Sequence, residues 1–512
     1  MWRSAHSVAG NLGARNSMST ALARVLRWAL IAATLWYVGA YLIVACLRLR
    51  YPFDLEWMEG GSVDHVARVL RHQSLYISPQ IAFIPFEYPP LYFYVSALVA
   101  KIVGLGYFPL RLVSFASSLL CFACIYTLVK VETRSAFHGL LATGLFAATF
   151  RVSGAWFDLA RVDSLFLALF LVAIVIIRCK ASSRWYLRAG VVLSLSFLTK
   201  QTALAMAVPV VLYALHAHRR LGLWLTASLI AVVGISTALF HLATDGWYTF
   251  YVFEFPFKHA WAPPVAVTFW TQDMFAHLPI AFTIAALLVV WLLVRREALF
   301  WPMVFVGMIG GAYRSRLQTG GYDNVLMPAY AIAAILFAVG VSRLLEAVRG
   351  SNITYRRFAE VAIHAGCLVQ MALLGYDPRK QVPRAADRAA GEHLLQVLSN
   401  VHGEVLLPYH GYLPAVAGKP THAHLMQVFD VMKIRDAHSE SLAAQFRSAI
   451  RHSAFDAIVL DDTVNYLFMP DIEESYVLQS RVFSEPDVFF PVTGGVISRP
   501  DYVYVPKTTL TR

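Results

Sequence analysis

Long apolar runs separated by short polar connections dominate the first 375 residues, and the pattern changes beyond them. Plausible membrane spans lie at 25–46, 108–129, 137–153, 162–178, 189–199, 201–216, 221–243, 277–295, 298–313, 325–343 and 356–375. The first, at about 22 residues, meets the length of about 20 that a helix needs to cross the hydrocarbon core. Residues 91–105, LYFYVSALVAKIVGL, are also apolar, but a run of about 15 containing Lys101 is short for a simple span. They are predicted to form a helix lying in the outer interface and packed on the bundle. The alternative is a twelfth span, with 189–216 merged into one helix. After residue 375, strand-like runs (Glu404–Leu407, Ala457–Leu460, Tyr502–Val505) alternate with helical patterns (Ala385–Leu398, Ser441–His452), which predicts a small soluble α/β domain over 376–512.

Composition supports this division. The 512-residue chain is 58% hydrophobic and 14% charged, far below the roughly 25% charge of soluble domains. A polytopic α-helical membrane protein with about eleven transmembrane helices is therefore expected. Residues 376–512 hold 13 Lys+Arg against 16 Asp+Glu, whereas the preceding 375 hold 30 against 15. Basic residues cluster at alternate connections: Lys130 and Arg134; Lys180, Arg184 and Arg188; Arg219 and Arg220; Arg295 and Arg296; and Arg343, Arg349 and Arg357. Positive charge in short loops reports the cytoplasmic side. The isoelectric point near 9.4 thus argues for topology and not for nucleic acid. The basic segment 1–24 is placed in the cytoplasm. The first loop (47–107), the other outer loops and the C-terminal domain are placed on the extracytoplasmic side of a membrane taken to be the bacterial inner membrane.

Charge that runs against this pattern marks candidate chemistry. The first loop carries Asp54, Glu56, Glu59, Asp64 and Glu87, while the rest of the chain up to residue 375 has ten other acids. Acids beside a bilayer mark sites or water-filled cavities. A second group, Asp158, Arg161 and Asp163, lies at the outer mouth of the span at 162–178. Asp158 and Arg161 have the spacing to pair, and Asp163 has the position to cap the following helix. Arg314 and Arg316 are basic but placed outside, where a phosphate-bearing lipid would account for them. Lys200, between two half-length apolar runs, suggests a helix break and needs an acid or a phosphate. The aromatic loop 244–276 suits either an interfacial belt or a groove for a polyprenyl chain or sugar. The C-terminal histidines lack a metal-ligand spacing; His422 and His424 fit a solvated loop better than a metal site. No phosphate-binding glycine motif occurs, and the five cysteines all fall in or beside apolar spans, so no disulfide framework is expected.

In order and spacing, EWMEGGSVDHVARVLRHQSLY (56–76), FEYPPLYFYVSALVAKIVGLGYFPLRLVS (86–114), WFDLARVDSLFLALFLVAI (156–174) and LSLSFLTKQTALAMAVPVVL (193–212) resemble the C-type (GT-C) membrane glycosyltransferases. The branch is that of the protein O-mannosyltransferases, the lipid A aminoarabinose transferases and related bacterial proteins. The resemblance covers roughly 25–220 and says little about the C-terminal domain. It implies a transferase moving a sugar from a polyprenyl-phosphate donor to a glycan, lipid or protein acceptor, usually with inversion. A first-loop carboxylate would act as general base. The family's Asp-Glu pair aligns with Met58-Glu59, so Asp54 or Glu56 stands in for the missing acid. Where relatives carry Glu-Lys before the proline, this chain has Glu87-Tyr88, leaving Arg316 or Lys200 to meet the donor phosphate.

The expected site is therefore Asp54, Glu56, Glu59 and Asp158 for catalysis, with Glu87, Tyr88, Arg161, Lys200 and Arg316 for substrate. No metal ligand set is assigned. No obligatory cofactor is expected, although the acid cluster is compatible with a divalent cation. A transporter of lipid-linked sugars is the alternative, but no internal repeat of the kind such folds carry is found.

Overall fold

The computed structural model describes the backbone of residues 2–296 and 299–507 and side chains from residue 21 onward. Helices form at all eleven predicted apolar segments. Among the described residues, four helices are long and apolar enough to cross a membrane (Ala21–Arg48, Tyr107–Thr133, Arg219–Ala243 and Asp323–Gly350), and six if each of two bent pairs counts as one span. Others are short. Ala136–Ala148 has 13 residues, about 20 Å at 1.5 Å per residue, against a hydrocarbon core of about 30 Å. The most central helix, Met327–Ala347, is buried on nearly every side from Met327 to Ser342. By contrast, Arg219–Ala243 and Ala21–Arg48 leave large apolar faces exposed.

The Leu91–Val103 helix buries Tyr92, Phe93, Ser96, Ala97 and Ala100 and exposes Tyr94, Leu98, Ile102 and Val103, so one face packs and the other stays apolar and open. Helices Ser183–Thr199 and Thr202–Ala217 remain separate. The chain breaks at Lys200, whose backbone is extended (φ −151°, ψ 125°), as its place between two half-length runs suggested.

Beyond residue 376 lies a four-stranded sheet of order β1-β2-β4-β3: β1 Val405–Leu406, β2 Ala457–Leu460, β3 Tyr476–Arg481 and β4 Tyr502–Pro506. β1 and β2 are parallel, and the β2–β4 and β4–β3 pairs are antiparallel. β3 had no counterpart in the sequence reading, because four of its six residues are exposed and no strict alternation marks it. The expected helical patterns appear as Ala385–Asn400 and Ala437–Arg451.

This region does not stand apart from the membrane half. A single hydrophobic cluster runs from Tyr37 and Tyr41 through Phe53 and Val66 to Leu394, Val428 and Ile458. Glycines make the closest approach. A Cβ on Gly60 would come 2.8 Å from the backbone nitrogen of Tyr412, and one on Gly411 would come 2.8 Å from that of Gly61. Only glycine permits two backbones that near, so the first loop and the turn after β1 are held in contact.

Candidate active site

Four buried ion pairs brace the helices where they meet the first loop and the 154–162 loop. Arg48, the last residue of the first helix, binds both carboxylate oxygens of Asp158, one at 2.7 Å, and donates to the Ala155 carbonyl at 2.6 Å. Arg111 grips Glu59 through two bonds of 2.9 and 2.5 Å and donates to the carbonyls of Tyr51 and Phe53. Arg161 meets Glu56 at 3.3 Å, and Lys200 meets Asp163 at 2.6 Å. Unpaired charge in such surroundings is costly, whereas these partners satisfy one another geometrically.

These pairings revise several sequence assignments. Asp158 pairs with Arg48 and not with Arg161, because the first helix runs on to Arg48 and delivers its guanidinium beneath the 154–162 loop. Asp163 does not cap; it is the first residue of its helix, behind Val162, and binds Lys200 and Asn324. Every oxygen of Glu59 is committed, since Leu55 N and Ala160 N each donate at 2.7 Å in addition to Arg111. Burial would raise the Glu59 pKa, but the charge and hydrogen bonds of Arg111 outweigh it and hold the carboxyl below its usual range. Arg316 bonds Asp273 at 2.9 and 3.1 Å and lies 3.3 Å from Asp323. It orders the turn after its helix. His424 is buried, caps the Leu425–Ile434 helix through Nδ1 and donates from Nε2 to the Trp57 carbonyl at 3.0 Å, so it is not in a solvated loop.

Above the pairs lies a cavity of about 960 Å³ lined by six parts of the chain. The first loop supplies Trp57, Met58, Glu87 and Tyr88; Arg161 and Lys200 rise from the floor. The 244–276 segment, folded into short helical turns, supplies Val252, Phe253, Phe257 and His259. Arg314 and Tyr322 close one side, and Tyr409, Gln427, Asp430, Asp461 and Asp462 of the C-terminal region close another. Leu204, Ala205 and Val208 make an apolar flank that continues along the Thr202–Ala217 helix. Of the basic residues considered for a phosphate, Arg314 and not Arg316 faces this space. Its Nη1 is buried without a partner, and its guanidinium lies over the rings of Phe257 and Trp261.

Two first-loop acids keep distinctive environments. Glu56 is 1% exposed. Its Oε2 accepts from Arg161 and from Met58 N, whereas Oε1 has no partner. Burial pushes its pKa up to about 8, only partly offset by Arg161. Gly495 (φ +112°) covers it, the Oε1 atom lying 3.9 Å from where a Cβ would stand. Asp54 accepts from Gly60 N at 2.9 Å and from His410 at 3.1 Å. Burial raises its pKa and the His410 hydrogen bond opposes that rise. His410 lies 3.4 Å from Asp461 on its other side, without hydrogen-bond alignment. Burial works against its charge, but the two carboxylates outweigh it and bring the pKa to about 9.

Glu87, His259 and Asp430 converge from three different parts of the chain, each offering one ligand atom within 4.8 Å of the others. Glu87 Oε1 is 2.7 Å from His259 Nε2, and Asp430 is 4.0 Å from Nδ1. Burial disfavours the imidazolium, yet Glu87 overcomes this and raises the His259 pKa. The loop bearing Glu87 and Tyr88 is set by His65, whose Nε2 accepts from Phe86 N at 2.7 Å. Tyr88 accepts from Arg161 at 3.2 Å.

Sequence reasoning missed His259, Gln427, Asp430 and Asp461 because they lie far from the first loop along the chain. One signal was available: the Asp-Asp pair directly after the apolar run AIVL, since ligands gather at the carboxyl ends of parallel strands.

The fold is shared with membrane proteins of known structure. Residues 87–247 match the dolichyl-phosphate-mannose-protein mannosyltransferase family. ArnT from Cupriavidus metallidurans in the apo state superposes with a TM-score of 0.57 at 14% identity, covering 94% of this chain and 99% of that one. The same protein bound to undecaprenyl phosphate gives 0.55 at 13% identity, covering 92% and 97%. The archaeal oligosaccharyltransferase AglB from Archaeoglobus fulgidus, in complex with an inhibitory peptide and a dolichol-phosphate, gives 0.51 at 12% identity, covering 85% and 70%. No curated protein matches the chain by sequence. The chain has the fold of the C-type glycosyltransferase superfamily, which includes the aminoarabinose transferases.

Proposed function

We propose that this protein transfers a sugar from a polyprenyl-phosphate-linked donor to an acceptor on the extracytoplasmic face of the bacterial inner membrane, with inversion at the anomeric carbon. The observation that carries the reading is the cavity, in which an apolar flank (Leu204, Val208, Phe253, Phe257) meets three cationic side chains (Arg161, Lys200, Arg314). An isoprenoid chain suits the first and its phosphate the second. The relatives bound to undecaprenyl phosphate and dolichol-phosphate support the same donor class.

Glu56 touches the lining residue Arg161 but does not itself line the cavity. In this mechanism its Oε1 takes the acceptor hydroxyl proton once the covering Gly495 turn shifts, as the hydroxyl oxygen bonds to the anomeric carbon. The bond from that carbon to the phosphate oxygen breaks, and polyprenyl phosphate leaves with its added charge met by Arg314 and the Arg161–Lys200 pair. Asp54, through His410, positions the C-terminal wall. Glu59 and Asp158 hold the framework.

Purified protein with labelled polyprenyl-phosphate sugars provides the test: release of polyprenyl phosphate only with acceptor present is expected, and intact lipid-linked sugar changing leaflet would replace this reading with a transporter. In the same assay Arg314→Ala is expected to weaken undecaprenyl phosphate binding about tenfold or more, since a charge-assisted hydrogen bond contributes about 1.5–3 kcal/mol. Unchanged affinity would remove Arg314 from the donor site.

Glu87, His259 and Asp430 also fit a divalent cation by donor type. Bound there, it would add positive charge to the cavity wall. Ligation needs neutral His259, so binding must release the proton that Glu87 stabilises, and affinity should rise with pH. Because the protonated ring already balances the two carboxylates, activity is expected to persist in EDTA. Calorimetry with Mn²⁺ should show tightening as His259 deprotonates. Complete loss of activity in EDTA, restored by a divalent ion, would make the metal obligatory.

A further inference from the structure

The cavity is electrically two-sided. Toward the membrane helices it presents Arg161, Lys200 and Arg314, and toward the C-terminal sheet it presents Asp430, Asp461 and Asp462, with Lys433 and His259 beside Asp430 and His410 behind Asp461. The second side is built on the carboxyl ends of two parallel strands: Pro408, Tyr409 and His410 follow β1, and Asp461 and Asp462 follow β2.

Three buried side chains around the cavity each have a polar atom without a hydrogen-bond partner. Gln427 is 1% exposed, and neither its amide nitrogen nor its amide oxygen is hydrogen-bonded. Asp461, with a side chain 6% exposed, has Oδ2 fixed by Arg499 N at 2.6 Å while Oδ1 is free. Trp57 Nε1, on the first loop, is also free. All three residues line the cavity. Buried amides and carboxylates are almost always paired, so convergent free ones point to a ligand. The Trp57 and Tyr409 rings, 6.3 Å apart and tilted by 42°, add a flat apolar wall.

We propose that Gln427, Asp461, Trp57 and Tyr409 form an acceptor subsite for a neutral, polyhydroxylated sugar unit at the end of a glycan. A free carboxylate oxygen accepts from sugar hydroxyls, a primary amide both donates and accepts, and aromatic faces cover the C–H surface of a pyranose. The free Asp461 Oδ1 accepts from hydroxyls but repels a phosphate, which disfavours a phosphorylated acceptor at this point. A phosphate-rich lipid headgroup is therefore the wrong class here. The subsite deepens the transferase reading and supplies its acceptor, though the sugar binding itself can be measured without turnover.

The test uses full-length protein in nanodiscs with two probes: neutral methyl hexosides and their 6-phosphates, followed by saturation-transfer NMR, and undecaprenyl phosphate, followed by thermal shift. Neutral glycosides are expected to bind the native protein more tightly than the phosphates do. Gln427→Ala and, separately, Asp461→Asn should weaken that binding about tenfold while leaving the undecaprenyl phosphate shift unchanged, which also reports that each variant is folded. The proposal is overturned if no neutral glycoside binds, if both variants bind glycosides as the native protein does, or if the phosphates bind better. Failure of undecaprenyl phosphate to bind the native protein would instead overturn the donor reading, with the glycoside result still deciding the subsite.

Discussion

Glu56→Gln is expected to lower turnover by about 10²–10⁴-fold while undecaprenyl phosphate binding stays near normal. The substitution keeps the shape of the side chain and an acceptor for Met58 N, so the local turn should survive. What it removes is a carboxylate oxygen able to take a proton. Glu56 suits that task because one oxygen is anchored by Arg161 and Met58 while the other is free. Its pKa of about 8 lies close to the operating range, where a base combines adequate basicity with partial deprotonation. The sign follows directly: the base works deprotonated, so kcat should rise as pH increases through about 8, and the residual activity of Glu56→Gln should lose that rise. Near-native turnover in folded Glu56→Gln would transfer the role elsewhere, with Asp54 the next acid to examine.

The long apolar runs made the helices legible because their length and hydropathy are local properties. The Lys200 break was legible for the same reason: a charged residue between two half-length runs has few tolerable placements. The first loop stood out by its acids, and it lines the cavity through Trp57, Met58, Glu87 and Tyr88, but the roles of those acids were not readable. Glu56 and Glu59 are three residues apart, both fully buried and both beside arginine. They differ in that Arg111 approaches Glu59 from a helix about fifty positions on, in a bidentate grip, whereas Arg161 touches Glu56 at one oxygen. No local pattern encodes that difference. Arg314 and Arg316 present the same problem, since helical phase at the end of a span decides which one meets the cavity and which one meets Asp273. The C-terminal contributions were the least visible, because Gln427 and Asp461 gain meaning only when the sheet is docked against Trp57.

Removing the charge of Glu59 should affect the protein in the opposite way. Glu59→Gln is expected to cost about 3–5 kcal/mol of stability, because it leaves Arg111 buried without its counter-charge, and both side chains are fully inaccessible. Arg111 cannot escape to solvent: its guanidinium is also held by the carbonyls of Tyr51 and Phe53 at 2.6 and 2.7 Å. The pair thus ties the start of the first loop to the Tyr107–Thr133 helix and, through Ala160 N, to the loop that carries Arg161. The Glu59 carboxyl is held below its usual range, so its contribution is fully present at neutral pH. That contribution is lost as acidification passes the ordinary Glu value of about 4.3 toward the lower folded one. The expected observation is a large fall in thermal stability and in yield of folded Glu59→Gln, with turnover per folded molecule reduced far less than in Glu56→Gln. A stable Glu59→Gln protein without activity would return Glu59 to the catalytic role that the family alignment suggested and displace Glu56 from it.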